Sequence, residues 1–415
     1  MIRRTYLEII HHHIEHYEQM VFICGARQVG KTTLAKMLIQ HERNYLNWDN
    51  INHRAIMMKN IFEYIDDEIL PNNLHNNKAL LILDEIHKYS DWKNYIKGLY
   101  DQYKGRVIFI ITGSARLDIY YKGGDSLMGR YFLYHIYQLS IGELIGHQYK
   151  PEIQYWDPTW SINNSAIEDI STSGVNDVWN RLFTFGGYPE PYVKNDSAFF
   201  NRWQLLRNKQ LFTEEIRDYA HIYDVDQFEL MGTLLANQTG CQLNYSSLAK
   251  KIQKPESTVR SWVHILQNTY YFFSIPPWSS NVSRSILKMP KTYLYDWSVI
   301  PDYGSKVENF IAVHLLKSVS YWNNIGLGSY NLFYLRDKEQ HEVDFLIVKN
   351  NQPWIICEVK AHDTKISNNL AYFQNQLHAK HVIQLIFDAD FIDIDVFTLT
   401  GTKFVPAKTL LSQLM

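Results

Sequence analysis

At 415 residues, with 46% hydrophobic and 20% charged side chains, the chain has the make-up of a folded protein long enough for two to four domains, which excludes a disordered one. Its formal charge of −2 excludes a global electrostatic footprint for nucleic acid. The longest apolar runs, such as Ala79–Leu83 and Val107–Ile111, have strand length and fall far short of a bilayer span, so no membrane partner is expected.

At the N-terminus Arg3 and Arg4 are followed by Glu8 and Glu15 with no unbroken apolar core, which argues against a secretory signal. His11, His12 and His13 have no second ligand cluster nearby and read as a solvated helix face. Cys24, Cys241 and Cys357 are few and far apart, the pattern of small buried hydrophobes in a reducing cytoplasm.

The first strong element is Met20–Cys24, an apolar and β-branched run that predicts a buried strand. Gly25-Ala26-Arg27-Gln28-Val29-Gly30-Lys31-Thr32 follows, and Thr33–Ile39 then has helical apolar spacing. Strand, glycine loop and helix start are together the context of a phosphate-binding loop. The two glycines let successive N–H groups face one point, at a helix N-terminus. Lys31 is expected to reach the β- and γ-phosphates of ATP, and the Thr32 hydroxyl to ligate Mg²⁺. Further strands are predicted at Asn44–Trp48, Ala79–Leu83 and Arg106–Ile111, with helical patterns between them. That rhythm implies a parallel sheet covered on both faces. The third of these four strands ends in Asp84 and Glu85. Asp84 is placed to hold Mg²⁺ through water, and Glu85 to orient the attacking water as a base. The next strand ends in Thr112-Gly113-Ser114, where a hydroxyl can sense the γ-phosphate or the water, or serve as an ordinary turn residue.

The loop Gly25–Thr33, the run Leu83-Asp84-Glu85-Ile86-His87, Thr112-Gly113-Ser114-Ala115 and Leu127-Met128-Gly129-Arg130 together resemble the bacterial and archaeal AAA-type ATPases that carry a C-terminal domain of unknown function. Gly186-Gly187-Tyr188-Pro189-Glu190 is similar to the same family. Ala26 departs from it, since the family usually has Pro there. The resemblance implies an AAA/ASCE-type parallel sheet over residues 1–145, with Thr33 and Ser114 also at the nucleotide. It makes Arg130 the candidate that meets the γ-phosphate, in its own chain or a neighbouring subunit of a homo-oligomer. A surface ion pair is the alternative for Arg130.

Residues 146–225 read as a linker and helical lid region: a polar, irregular connector over about 146–180, then the break at Gly186–Pro191 and a helical stretch from about Ser197 to Tyr219. Residues 226–300 predict helices followed by a β-hairpin. Between Cys241 and Lys291 the basic residues Lys250, Lys251, Lys254, Arg260, Arg284, Lys288 and Lys291 face one acid, Glu256. Tyr245–Ile252, which Ser246 or Ser247 can cap, and Glu256–Gln267 have the length of two short helices on a tight turn. Val259, Trp262, Val263 and Leu266 are spaced for a buried face, which leaves Thr258, Arg260, Ser261 and His264 outward. The segment resembles a winged helix-turn-helix, and DNA is the partner this implies; docking on protein is the alternative.

In residues 301–415, Glu342–Val348 and Ile355–Lys360 are apolar strands interrupted by Asp344, Glu358 and Lys360. Alternation puts Glu358 and Lys360 on one face. If the strands pair, Asp344 and Glu358 can share a Mg²⁺, with Lys360 polarising the water and Glu308 supplying another acid. This resembles the PD-(D/E)XK nuclease core; solvated strand ends are the alternative. The expected fold class is therefore α/β, a P-loop ATPase followed by a winged-helix-like module and a nuclease-like α/β domain. The expected activity is Mg²⁺-dependent ATP hydrolysis coupled to DNA engagement and cleavage. The rival is a nucleotide-dependent switch or adaptor that cuts nothing.

Overall fold

A computed structural model describes residues 2, 4–71, 78–113, 127–145, 172–215, 222, 224–279, 289–363 and 365–415. The chain divides into two compact units, one reaching to Tyr137 and the other beginning at Gln138.

In the first unit, α1 (Tyr6–His16) precedes β1 (Met20–Cys24), and α2 (Lys31–Lys36) follows the glycine loop. Then come β2 (Tyr45–Asn47), α3 (Ile51–Lys59), β3 (Ala79–Asp84), α4 (Trp92–Tyr103), β4 (Val107–Thr112) and β5 (Tyr131–His135). The sheet order is β2-β3-β4-β1-β5, with every neighbouring pair parallel. All residues of β1, β3 and β4 are buried, as expected where helices cover both faces. Phe22, Leu81, Leu83, Phe109 and Ile111 share a core cluster with Trp92 and Ile96 of α4. Truncating an aromatic such as Phe109 to Ala in a core of this kind costs about 3–5 kcal/mol. Because all strands run the same way, the loops after β1, β3 and β4 open at one edge, beside the point where the order reverses. The histidine run departs from the solvated-face expectation: His13 is fully buried, bonded at 2.8 Å both to the Tyr134 hydroxyl and to the Gln19 carbonyl.

The second unit contains α5 (Ile141–Leu144), α6 (Thr172–Phe185), α7 (Pro189–Lys194) and α8 (Ser197–Gln210). Part of the expected connector is thus helical. Gly187 turns between α6 and α7, where a Cβ would lie 2.7 Å from both Gln138 and Trp297. Next come α9 (Val225–Ala236), α10 (Tyr245–Ile252), α11 (Glu256–Asn268) and an antiparallel hairpin of β6 (Phe272–Ile275) and β7 (Lys291–Leu294). Val259, Trp262, Val263 and Leu266 are buried as their spacing requires, while Arg260, Ser261 and His264 are exposed. The cap of α10 is Asn244, not a serine; its side chain accepts from the Ser247 amide at 3.0 Å.

The long helix α12 (Tyr303–Asn324) leads into β8 (Tyr330–Arg336), β9 (Glu342–Lys349) and β10 (Gln352–Lys360). After α13 (Asn368–Leu377) come β11 (His381–Ile386), β12 (Thr402–Pro406) and α14 (Ala407–Ser412). This second sheet is mixed: β8, β9 and β10 are antiparallel neighbours, and β10, β11 and β12 are parallel. Within this unit Lys317 of α12 is almost fully buried, and its ammonium donates to Glu143 at 2.7 Å, Ser140 at 2.8 Å and the Gln138 carbonyl at 2.9 Å. A lysine so deep is tolerable because each donor position meets an oxygen. Cys24 and Cys357 are buried as expected, but Cys241 is exposed.

Candidate nucleotide site and C-terminal acid cluster

The glycine loop is shaped by its backbone. Gly25 has φ +146°, and a Cβ there would lie 2.2 Å from the Ile136 carbonyl oxygen, so only glycine fits. Gln28 and Gly30 also have positive φ, +63° and +95°. Ala26 and Val29 are buried and pin the loop down, Arg27, Gly30 and Thr32 are half-buried, and Gln28 and Thr33 face outward. Behind the loop the buried Arg4 donates to the carbonyls of Val29 at 2.7 Å and Tyr137 at 2.6 Å. Lys31 starts α2, and its ammonium donates to the carbonyls of Gly25 at 3.0 Å and Ala26 at 2.7 Å, curling into the loop it belongs to.

Asp84 stands at the carboxyl end of β3. It accepts from Thr32 at 3.1 Å and from the Tyr45 hydroxyl at 2.6 Å; Asn47 reaches it at 3.4 Å, and Thr112 donates to its other oxygen. Thr112, at the end of the neighbouring strand β4, therefore serves Asp84, while Ser114 lies outside the described residues. Glu85 has φ +58°, a strained setting for a non-glycine residue beside the acid pair. Burial, with Asp84 adding to it, pushes its carboxyl above the usual range, and Lys88 at 3.4 Å and Lys31 pull the other way. An upward shift of this kind makes a carboxylate a stronger proton acceptor. Tyr45 and Asn47 were not legible as site residues, although alternation on β2 gives them a common face. An open cleft of about 710 Å³ continues from them, lined by Lys36, His41, Asn50 and His53 among others.

Arg130 is not brought to this edge in its own chain. Tyr131 pairs with Met20 and His135 with Cys24, so Arg130 lies at the far end of β1, about five residues or roughly 16 Å of strand from the loop. It makes a two-pronged ion pair with Asp101, at 2.9 and 3.2 Å.

The loop, Lys31, Thr32 and Asp84 fit a phosphate-bound Mg²⁺ group: the backbone is cleared by Gly25, a cation rests on neutral carbonyls, and a hydroxyl and a carboxylate already touch. Residues 17–145 match an AAA domain. Residues 176–302 and 303–397 match two domains of unknown function, DUF8612 and DUF4143. An uncharacterized protein of Methanocaldococcus jannaschii is 23% identical over 370 residues, 82% of this chain and 75% of that one. An uncharacterized protein of Mycobacterium tuberculosis is 21% identical over 357 residues, 82% and 70% of the two chains. Among solved structures, a DNA polymerase III gamma subunit-related protein from Thermotoga maritima aligns at 12% identity over 63% of this chain and 98% of that one, with a TM-score of 0.26. Among the described residues, no helix is long and apolar enough to cross a membrane.

In the second unit, strand alternation has the expected consequence: Glu358 and Lys360 share a face, with the ammonium 2.7 Å from the carboxylate. The Cys357–Phe345 pairing of β10 with β9 sets Glu358 across from Asp344, and Asp344 accepts from the Val359 amide at 2.9 Å. Burial, reinforced by Asp344, raises the Glu358 carboxyl above its ordinary range. One residue is placed against expectation. Lys291 does not face outward from the hairpin; it is buried, 3.2 Å from Glu308, 2.7 Å from Glu342 and 3.7 Å from Asp344. Tyr293 also donates to Glu308 at 2.7 Å, and Arg336 pairs with Glu342 at 2.6 Å. Burial works against the Lys291 ammonium, but Glu308, Asp344 and Glu342 outweigh it and hold the group charged. Other cations of the basic segment are paired as well, Lys254 with Asp224 at 2.8 Å and Arg260 with Glu256 at 2.6 Å, while Lys250 and Lys251 are both exposed. Arg284 and Lys288 lie outside the described residues. Among the described residues, Asp337, Glu339 and His341, in the turn between β8 and β9, bring their ligand atoms within 4.8 Å of one another.

Proposed function

We propose that the chain is a Mg²⁺-dependent ATP-hydrolysing switch whose nucleotide state governs how the second unit engages DNA. The observation that carries the first half is the contact of Thr32 with Asp84 beside a lysine held by the loop's own carbonyls. Lys31 would bind the β- and γ-phosphates, Thr32 and Asp84 would hold Mg²⁺, and Glu85 would take a proton from the attacking water. When bound, the metal neutralises charge on the phosphate oxygens. Arg130, at the opposite end of the strands, would serve a neighbouring copy. Lys250 and Lys251, with the outward side of α11, support the DNA half.

The grouping of Asp344, Glu358 and Lys360 supports a nuclease-like domain in residues 301–415. A second reading, a switch or adaptor that does not cut, is favoured by the buried ion pairs of Lys291 with Glu308 and Asp344. The test is release of phosphate from ATP with and without Mg²⁺, run beside nicking of supercoiled DNA in Mg²⁺ or Mn²⁺. Phosphate release that needs Mg²⁺ is expected. Its absence would overturn the switch, and DNA nicking lost in Asp344→Asn would exclude the adaptor.

A further inference from the structure

The cation at the C-terminal acid cluster belongs to the protein. Glu308 comes from α12, Glu342 and Asp344 from β9, and all three turn toward the ammonium of Lys291, delivered by β7. The strand pair that carries Lys291 is tied to β8. The Trp278 amide donates to the Tyr334 carbonyl at 2.8 Å, the Tyr334 amide to Pro276 at 3.1 Å, and the Tyr334 hydroxyl to the Met289 carbonyl at 2.7 Å. Lys291 and Arg336 together offer two positive charges to three carboxylates. Glu358, across from Asp344, adds a fourth acid that is 5% exposed. Lys360 meets one of its oxygens, and the other, Oε2, has no hydrogen-bond partner. The cluster thus holds more carboxylate oxygens than its resident cations contact. Hard carboxylate oxygens in that surplus are the ligand set of Mg²⁺, Mn²⁺ or Ca²⁺. An ammonium paired with three of these carboxylates, Glu308, Glu342 and Asp344, opposes such an ion by occupancy and by repulsion.

We propose that Lys291 is a built-in counter-ion that keeps divalent cations out of the Glu308–Asp344–Glu358 region while the hairpin is docked, an autoinhibitory contact that only withdrawal of β7 would relieve. This rests on reading residues 301–415 as nuclease-like. It explains how the acids of such a domain persist in a chain whose resting fold seats an ammonium among them.

The test uses the full nucleotide-free chain and Mn²⁺ alone, read by electron paramagnetic resonance and by thermal unfolding. Wild type and Asp344→Asn should bind Mn²⁺ alike, because the site is closed in both. Lys291→Met should gain one Mn²⁺ equivalent and melt at a higher temperature with Mn²⁺ than without; adding Asp344→Asn should erase both changes. Lys291→Arg, which keeps the charge, should behave as wild type. Mn²⁺ bound by wild type and lost in Asp344→Asn would overturn the proposal and leave the nuclease-like reading standing. No gain in Lys291→Met would overturn both. Should Lys291→Met fail to fold without metal, Lys291→Gln removes the charge but keeps a donor, and the wild type against Asp344→Asn comparison still decides.

Discussion

Two buried lysines sit at the two candidate sites, and they are held by different partners. Lys31 donates to the backbone carbonyls of Gly25 and Ala26. Lys291 is held by the carboxylates of Glu308, Glu342 and Asp344. A hydrogen bond to a neutral carbonyl contributes about 0.5–1.5 kcal/mol net, so the phosphate proposed to bind there would compete easily for Lys31. A charge pair at about 4 Å is worth about 4 kcal/mol at an effective dielectric constant near 20, and Lys291 has several such partners. The first lysine is parked where a ligand can take it. The second is bound to its partners, and removing it would strand three acids, a change that typically costs about 3–5 kcal/mol in a buried pair.

The largest expected effect breaks the first half of this comparison. Lys31→Ala should weaken ATP binding by roughly 10²-fold or more, since hydrogen bonds to charged groups contribute about 1.5–3 kcal/mol each. The fold should survive, because the two carbonyls it leaves are not stranded charges. Calorimetry with unchanged ATP affinity would remove Lys31 from the site. Glu85→Gln comes next. The amide keeps the shape but cannot accept the proton, so turnover should fall by about 10²–10⁴ with ATP affinity retained. Unimpaired steady-state hydrolysis in that variant would take the base role away from Glu85.

The phosphate loop could be read from residues alone because its pieces are consecutive, Gly25 through Thr32, between a strand and a helix start. The alternation that joins Glu358 to Lys360 was legible for the same reason. What escaped is long-range. Tyr45 and Asn47 reach Asp84 only because β2 pairs with β3, a register no local pattern encodes. Arg4 braces the loop at Val29 from 25 positions earlier. Lys291 looked like a surface cation of a basic segment, since its acids lie 17 to 53 positions on in other elements. For Arg130 the residues alone left both a phosphate role and an ion pair open, and the parallel register of β1 with β5 removes it from its own chain's loop.

Acid should act on the first unit through a different group. Burial, opposed by the Gln19 carbonyl, lowers the His13 pKa from 6.5 to about 4. The folded state therefore binds fewer protons than the unfolded one between those values. Stability present above pH 6.5 is lost as pH falls toward 4, by roughly 3 kcal/mol in total. Urea midpoints for the first unit should drop across that window in wild type and drop less in His13→Gln. Parallel pH profiles for the two would mean that His13 is not the group responsible.

The smallest expected change sharpens the comparison most, because it alters how Asp84 is held without touching a charge. Tyr45→Phe removes the hydroxyl 2.6 Å from Asp84 and leaves Thr32, Thr112 and the more distant Asn47 in place. A single hydrogen bond to a carboxylate sits at the low end of the range of about 1.5–3 kcal/mol when other donors remain, about 1.5 kcal/mol or roughly tenfold in an equilibrium. Since Asp84 is the group proposed to hold Mg²⁺, the change should appear in the Mg²⁺ concentration needed for half-maximal hydrolysis, not in ATP affinity without metal. A freer carboxylate carries more negative charge toward the metal but is less well aimed. The donors around Asp84 come from three separate elements, α2, β2 and β4, so aim should dominate and the Mg²⁺ requirement should rise. A fall would mean that Tyr45 restrains Asp84 from the metal, and no change would leave Tyr45 a packing residue.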